Sequence, residues 1–307
     1  MLPFVKVEAA GNDLVLVDGR GRSLPPLPEL AVAMSDRHFG VGSDGLLVLE
    51  NSRSPCEGSS NPSQGSSHTD EPCEGLNEPS QDGRGLPLMR MFNPDGTEDF
   101  CGNGLRCTAL YLHLMELKRE RQFVILSREG RHEVLVEGCK GNGCMCEVDL
   151  VAPRFEPPRV PVSLDGPRVL NHPLLVAGSV LNISCVSTGS THAVIFLDQE
   201  PPEELFQRVS PALEAHPLFP ERTSVLWCRA ESRARIRMRI WERGVGETLA
   251  CGSGSAAAAA IGRELGLTGD AVEVVTKGGV IEARWGGKGP VRLRGPARII
   301  FRGEWPL

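Results

Sequence analysis

Residues 251–265, CGSGSAAAAAIGREL, read as a helix with small side chains on every face. Alanine is the strongest helix former, and a helix without a bulky face can be approached closely by strands on all sides. The segment is therefore expected to be a central helix enclosed by a curved sheet. Its opening tetrapeptide has a near duplicate about 150 residues earlier, CGNG at 101–104, which also runs into a helical pattern, from about Leu105 to Arg119. Two cysteines, Cys101 and Cys251, thus stand at the starts of two helices, an arrangement that suggests a two-thiol enzyme.

A cysteine at a helix N-terminus lies beside unpaired backbone N–H groups and the positive end of the macrodipole, which both favour the thiolate. The flanking glycines let a carboxylate approach the free amides of Gly102, Asn103, Gly252 and Ser253, so each motif is a candidate anion cradle with a base at its lip. Two such cradles facing one substrate would supply an acid and a base of the same chemical type.

The rest of the chain agrees with an enzyme acting on a small molecule. Its 307 residues exceed one comfortable core, so two domains are expected. With 40% hydrophobic and 23% charged residues and a formal net charge of −6, nothing points to nucleic-acid binding. The start, MLPFVKVEAAGND, lacks the features of a signal peptide, and no apolar run reaches about 18 residues, so no membrane partner and a cytoplasmic location are expected. In a reducing compartment the ten cysteines need form no disulfide. Cys144 and Cys146 are too close for a zinc knuckle, so no metal is expected. Lys277, in VVTKGGV, reads as a turn residue, and no cofactor is called for.

Along the chain, residues 5–19 read as a hairpin with Asn12 in its turn, 27–39 as a helix ending at Gly40, and 40–50 as a return to strand. Residues 51–85 are rich in Ser, Pro, Gly, Glu and Asp and carry an imperfect repeat, PCEGSSNPSQ and PCEGLNEPSQ, with Cys56 and Cys73; a disordered insertion is expected. Strands are expected at 122–127, 132–137 and 144–150, then near 174–186, 192–198, 224–229, 234–242, 271–275, 279–285, 290–295 and 297–302, with a helix near 202–215. The proline-rich PRFEPPRVPV, from Pro153, would cross between domains.

FVKVEAAGND (4–13), DRHFGVGSDGLL (36–47), FNPDGTEDFCGNGLRC (92–107), FPER (219–222), WERGVGETLACGSG (241–254) and GP (295–296) together resemble the diaminopimelate epimerase family of cofactor-independent amino-acid epimerases, over nearly the whole chain outside the insertion. The resemblance implies an α/β fold of the α+β type. Two pseudo-symmetric halves would each wrap an antiparallel sheet around a central helix, with the active site in the cleft between them. The halves would be 1–150 plus 296–307, and 151–295. It implies that Cys101 and Cys251 are the acid and base that act on opposite faces of Cα, and that His192 and Glu242 support them. Asn12, Asn93 and Arg243 match residues with which the family holds the distal end of diaminopimelate.

Other positions depart from the family. Ser190 and Thr191 replace Asn-Pro before the histidine, Ser224 replaces Asn, Gly45 and Ser43 replace Gln and an aromatic residue, and the turn from Asp95 to Cys101 is one residue short. A site that loses hydrogen bonds to a polar substrate end discriminates less against analogues lacking it. Three readings follow: interconversion of L,L- and meso-diaminopimelate, racemisation of another amino acid, or amino-acid binding without catalysis. The expected partner is a small amino-acid substrate, and a homodimer is left open.

Overall fold

The computed structural model describes residues 1–52, 85–115 and 120–307. Nearly all of the low-complexity insertion, with Cys56 and Cys73, and the end of the helix expected to reach Arg119 lie outside the described residues.

The first half runs β1 (Leu2–Ala9), β2 (Asn12–Asp18), α1 (Leu27–Ser35), β3 (Leu46–Asn51), β4 (Pro87–Phe92), the short β5 (Glu98–Asp99), α2 (Gly102–Met115), β6 (Gln122–Ser127), β7 (Gly130–Lys140) and β8 (Gly143–Asp149). The second runs β9 (His172–Val176), β10 (Ser179–Ser187), β11 (Thr191–Phe196), α3 (Glu203–Glu214), β12 (Ser224–Ser232), β13 (Arg235–Glu242), β14 (Gly246–Thr248), α4 (Gly252–Glu264), β15 (Ala271–Thr276), β16 (Gly279–Arg284) and β17 (Arg292–Trp305). Most neighbouring strands are antiparallel. Among the described residues four pairs are parallel: β2 with β3, β4 with β6, β11 with β12 and β13 with β15. Each pair is joined through one of the helices α1 to α4, as parallel strands require a crossover that hairpins do not. The strand–helix–strand unit occurs twice in each half, which is the repeat underlying the pseudo-symmetry.

Strands from each half wrap α2 and α4. Every residue of α4 from Gly252 to Gly262 is buried, as the all-round small side chains predict. In α2 the buried run from Gly102 to Leu112 includes polar Asn103, Arg106 and Thr108. β17 ties the halves together. It replaces the two strands expected at 290–295 and 297–302, pairing first with β16, alongside β8 to Arg298, and then with β1. Pro296, which has no N–H to donate, falls between the last pairing to β16 at Arg294 and the first to β1 at Arg298, so the break expected there costs the strand no bond to either.

Two boundaries differ from expectation for local reasons. The helix expected over 27–39 stops at Ser35, because the Asp36 carboxylate accepts the backbone N–H groups of His38 and Phe39, both at 2.7 Å, in a competing turn. The single strand expected near 174–186 is a hairpin, folded at Ala177 and Gly178 with φ of 45° and 78°. The expectation of no disulfide also fails. Cys139 and Cys144 are joined, because the tight turn between β7 and β8 sets them side by side with Cα atoms 4.1 Å apart. Cys107, Cys146, Cys185 and Cys228 are free and buried.

Candidate active site

Both thiols cap the helices that follow them. Cys101 Sγ accepts the N–H of Gly104 at 3.2 Å, and Cys251 Sγ accepts that of Gly254 at 3.3 Å. This is the N-cap role usually filled by Ser, Thr, Asp or Asn, and it aims each sulfur along its helix axis. The two helix starts abut. A Cβ built on Gly252 would lie 3.0 Å from the Asn103 nitrogen, and one on Gly102 would lie 3.4 Å from that of Ser253. A side chain at Gly252 would press on the facing Asn103, and one at Gly102 would touch the start of the other helix.

Between them lies a cavity of about 60 Å³, room for about four to six waters. Its wall contains Cys101, Cys251, Glu242, Asn12, Asn93, Arg243, Ser190 and Ser224, together with Gly102, Asn103, Gly252 and Ser253. His192 stands behind this wall. It is fully buried, and its Nε2 shares a 3.1 Å hydrogen bond with Ser190 Oγ. Ser190 Oγ is 3.2 Å from Ser253 Oγ, which is 3.3 Å from Cys251 Sγ, so two hydroxyls link the imidazole to the thiol. On the other side the Cys101 thiol faces Asn12 Oδ1 at 3.9 Å. The Arg243 side chain reaches Asp99 Oδ2 at 3.1 Å, and its backbone N–H donates to Ser224 Oγ at 3.1 Å. Asn93 Nδ2 donates to Thr97. Lys277 lies in the turn between β15 and β16 and pairs with Glu247 at 2.6 Å.

Burial governs the protonation states, and here the expectation of resting thiolates is corrected. Burial pushes the Cys101 thiol up to about 12, more than the Gly104 N–H offsets, and the charge of Glu242 adds to the rise. Burial and Glu242 drive Cys251 well above its ordinary value as well. Glu242 is itself raised to about 7 by burial, against hydrogen bonds from Thr248 and Cys251. His192 is pulled down to about 3 by burial and by the Arg243 charge, which makes it a neutral imidazole. The site at rest therefore holds two thiols and one carboxylate that titrates near neutrality.

Several residues that the sequence did not single out also belong to the cavity. Asp44 accepts from Asn12 Nδ2 at 2.8 Å and from the Asp13 N–H at 3.0 Å, fixing the turn that carries Asn12. Asp99 holds Arg243, Thr248 donates to Glu242, and Phe100 completes the wall. All four lie within quoted motifs, but their contacts depend on turns brought together only by folding. One such junction is Gly278, where an added Cβ would meet the Ala10 carbonyl oxygen at 1.9 Å. Gly278→Ala is expected to cost at least about 1–3 kcal/mol and to raise KM by displacing the Asn12 turn. Urea unfolding and initial rates check both, and a parental midpoint would refute the packing argument.

A family model described as "Diaminopimelate epimerase" matches residues 184–300. The chain is 38% identical over 311 residues to a "Diaminopimelate epimerase" of Pelotomaculum thermopropionicum, covering 99% of this chain and 98% of that one. It is 35% identical to the protein of the same name from Moorella thermoacetica, covering 99% of each. Among solved structures, a PhzF-family phenazine biosynthesis protein of Bacillus anthracis superposes with a TM-score of 0.65 at 15% identity, covering 100% of this chain and 99% of that one. A probable proline racemase of Agrobacterium radiobacter gives 0.68 at 13%, covering 100% and 93%. These two establish likeness of fold. The close sequence relatives, spanning both helix-capping cysteines, establish that the chain belongs to the diaminopimelate epimerase family and is an isomerase.

Proposed function

We propose that the protein interconverts L,L- and meso-diaminopimelate without a cofactor, with Cys101 and Cys251 alternating as base and acid. The observation that carries this is the pair of thiols capping two abutting helix N-termini on one cavity. Inversion needs proton removal on one face of Cα and delivery on the other. Glu242 accepts the proton of one thiol as substrate binds, and the substrate ammonium offsets the cost of placing a thiolate in a buried site. The resulting thiolate removes the α-proton. Negative charge spreading onto the α-carboxylate meets the N–H groups of Gly102, Asn103, Gly252 and Ser253, which are oriented before reaction. The opposite thiol then donates its proton. His192, held by Ser190, orients Ser253 against Cys251.

Arg243 is assigned to the distal carboxylate, exchanging Asp99 for the substrate, with Asn12 and Asn93 beside it. A charge-assisted hydrogen bond is worth about 1.5–3 kcal/mol, so Arg243→Met is expected to raise KM roughly 10- to 150-fold with a smaller change in kcat. Steady-state kinetics in both directions checks this, and an unchanged KM would remove Arg243 from the binding site. The second reading, a racemase of another amino acid, is favoured by one observation: Ser190 and Ser224 bond internal partners rather than presenting free amides.

The deciding experiment is deuterium incorporation at Cα in heavy water, under reducing conditions, with L,L-diaminopimelate beside a panel of common L-amino acids. Exchange with inversion on diaminopimelate supports the proposal. Exchange only on another amino acid supports the second reading, and exchange on none removes both.

The division into 1–150 plus 296–307 and 151–295 belongs to the same proposal, supported by the partner change of β17 near Pro296. So does a cytoplasmic enzyme; among the described residues no helix is long and apolar enough to cross a membrane. We further propose a homodimer. Ile300 and Phe301 are exposed on β17, where its pairing with β8 has ended at Arg298, and such an apolar strand edge can pair with a second copy. Sedimentation equilibrium tests it.

A further inference from the structure

Arg106 is fully buried, yet among the described residues its side chain has one hydrogen bond, from Nη2 to Asn103 Oδ1 at 2.8 Å, and its Nε and Nη1 have no partner. A guanidinium does not deprotonate in proteins, and burying a charge without a counter-ion is costly, so its retention here calls for an explanation. The surroundings are built for it. The guanidinium lies against Gly295 of β17, where an added Cβ would stand 3.4 Å from Nε. The titratable groups whose charges couple to it are Cys107 of α2, Cys146 of β8, Cys101, and Glu8 of β1.

Its one partner is the residue that bridges the two thiol loops. Asn103 Nδ2 reaches the carbonyl of Ala250, the residue before Cys251, at 3.4 Å, and Asn103 Oδ1 would lie 2.9 Å from a Cβ on Gly252. Asn103 is thus held from one helix against the cap of the other, with Arg106 fixing its orientation.

We propose that Arg106 is a positioning residue for the reaction: through Asn103 it locks the start of α2 to the Cys251 loop, and its buried positive charge stabilises the Cys101 thiolate when that forms. The role rests on the two-thiol reading but not on the identity of the substrate. A neighbouring positive charge favours the charged form of a thiol, and no other cation is among the groups that influence Cys101 most strongly.

The test uses Arg106→Met and Arg106→Lys in the full-length chain, with two readouts. The first is kcat and KM for epimerisation. The second is the rate of Cys101 alkylation by iodoacetamide at one fixed, mildly alkaline pH, read by peptide mass spectrometry; it follows the thiolate fraction, needs no substrate and so reports on Arg106 even if diaminopimelate is not turned over. The methionine variant is expected to lose about 10²-fold in kcat, as removal of one preorganised charge-stabilising group does, with KM within threefold and alkylation of Cys101 about tenfold slower. The lysine variant keeps the charge and should retain the alkylation rate, while losing about tenfold in kcat because the planar link to Asn103 is gone. A folded methionine variant with parental kcat, a loss confined to KM, or an unchanged alkylation rate overturns the proposal. If the methionine variant does not fold, the lysine variant decides: parental kcat overturns the proposal, and a tenfold loss at constant KM supports it.

Discussion

Cys101→Ala and Cys251→Ala each abolish inversion, with a fall in kcat of at least about 10³-fold, within the range for loss of a positioned acid or base. The two single variants are not equivalent to the double one. With one thiol left, the carbanion is formed from one stereoisomer only and is reprotonated on the face it came from. Each single variant should therefore wash deuterium into one stereoisomer of diaminopimelate without inverting it, and the two variants should select opposite stereoisomers. The double variant exchanges neither. This follows from the geometry of two helix caps facing across one cavity, each with its sulfur held by the third residue of its own helix. Chiral chromatography with mass detection in heavy water reads the result directly. Inversion above about a tenth of the parental rate in either single variant would mean that a group other than the thiols carries a proton.

Glu242→Gln removes a cavity-wall carboxylate that burial pushes up to about 7, where it can take a thiol proton, and is expected to lower kcat/KM by about 10²- to 10⁴-fold. The pH profile separates this role from mere packing. In the parent, activity requires ionised Glu242, so kcat/KM falls as pH drops through about 7. That limb should be absent in the amide variant. His192 cannot supply it, because burial has already taken its titration to about 3. The same substitution should act oppositely on stability. The folded state binds the Glu242 proton more tightly than the unfolded state, in which the carboxyl returns to its ordinary 4.5. The parent therefore loses stability as pH rises from about 4.5 through 7, and the amide variant does not. Above pH 7 the glutamine variant should melt higher than the parent, and below pH 4.5 the two should agree. A limb near 7 that persists in Glu242→Gln would transfer the titration to another group.

The central helices show how far local information reaches. The alanine run of α4 was readable as a helix because propensity and the absence of a bulky face act within the segment, and every residue from Gly252 to Gly262 is indeed buried. Both thiols were readable as helix-start residues for the same reason, since capping involves groups three positions apart. The parallel pairs were not readable. Periodicity distinguishes strand from helix, but the direction in which two strands meet depends on the crossover between them. β9 and β10 were merged because an Ala-Gly turn with positive φ at alanine carries little sequence signal. The Cys139–Cys144 bond is not legible in compartment and chain length, because it depends on the hairpin that sets the two residues opposite each other.

By itself the sequence determined the two helix-start cysteines, the enclosed helices and the family, because these are written in contiguous residues and short spacings. Only the tertiary structure decided the proton states. A helix N-terminus favours a thiolate over a few ångströms, but desolvation sums over everything packed around the sulfur, and here that sum, with Glu242, prevails for both Cys101 and Cys251. The structure likewise decided that Ser190 serves His192 and Ser253, that Asp44 holds Asn12, and that Arg106 stands buried behind both thiol loops. Those partners come from turns and strands far apart in the chain, and only closure of the sheets around α2 and α4 brings them within bonding distance.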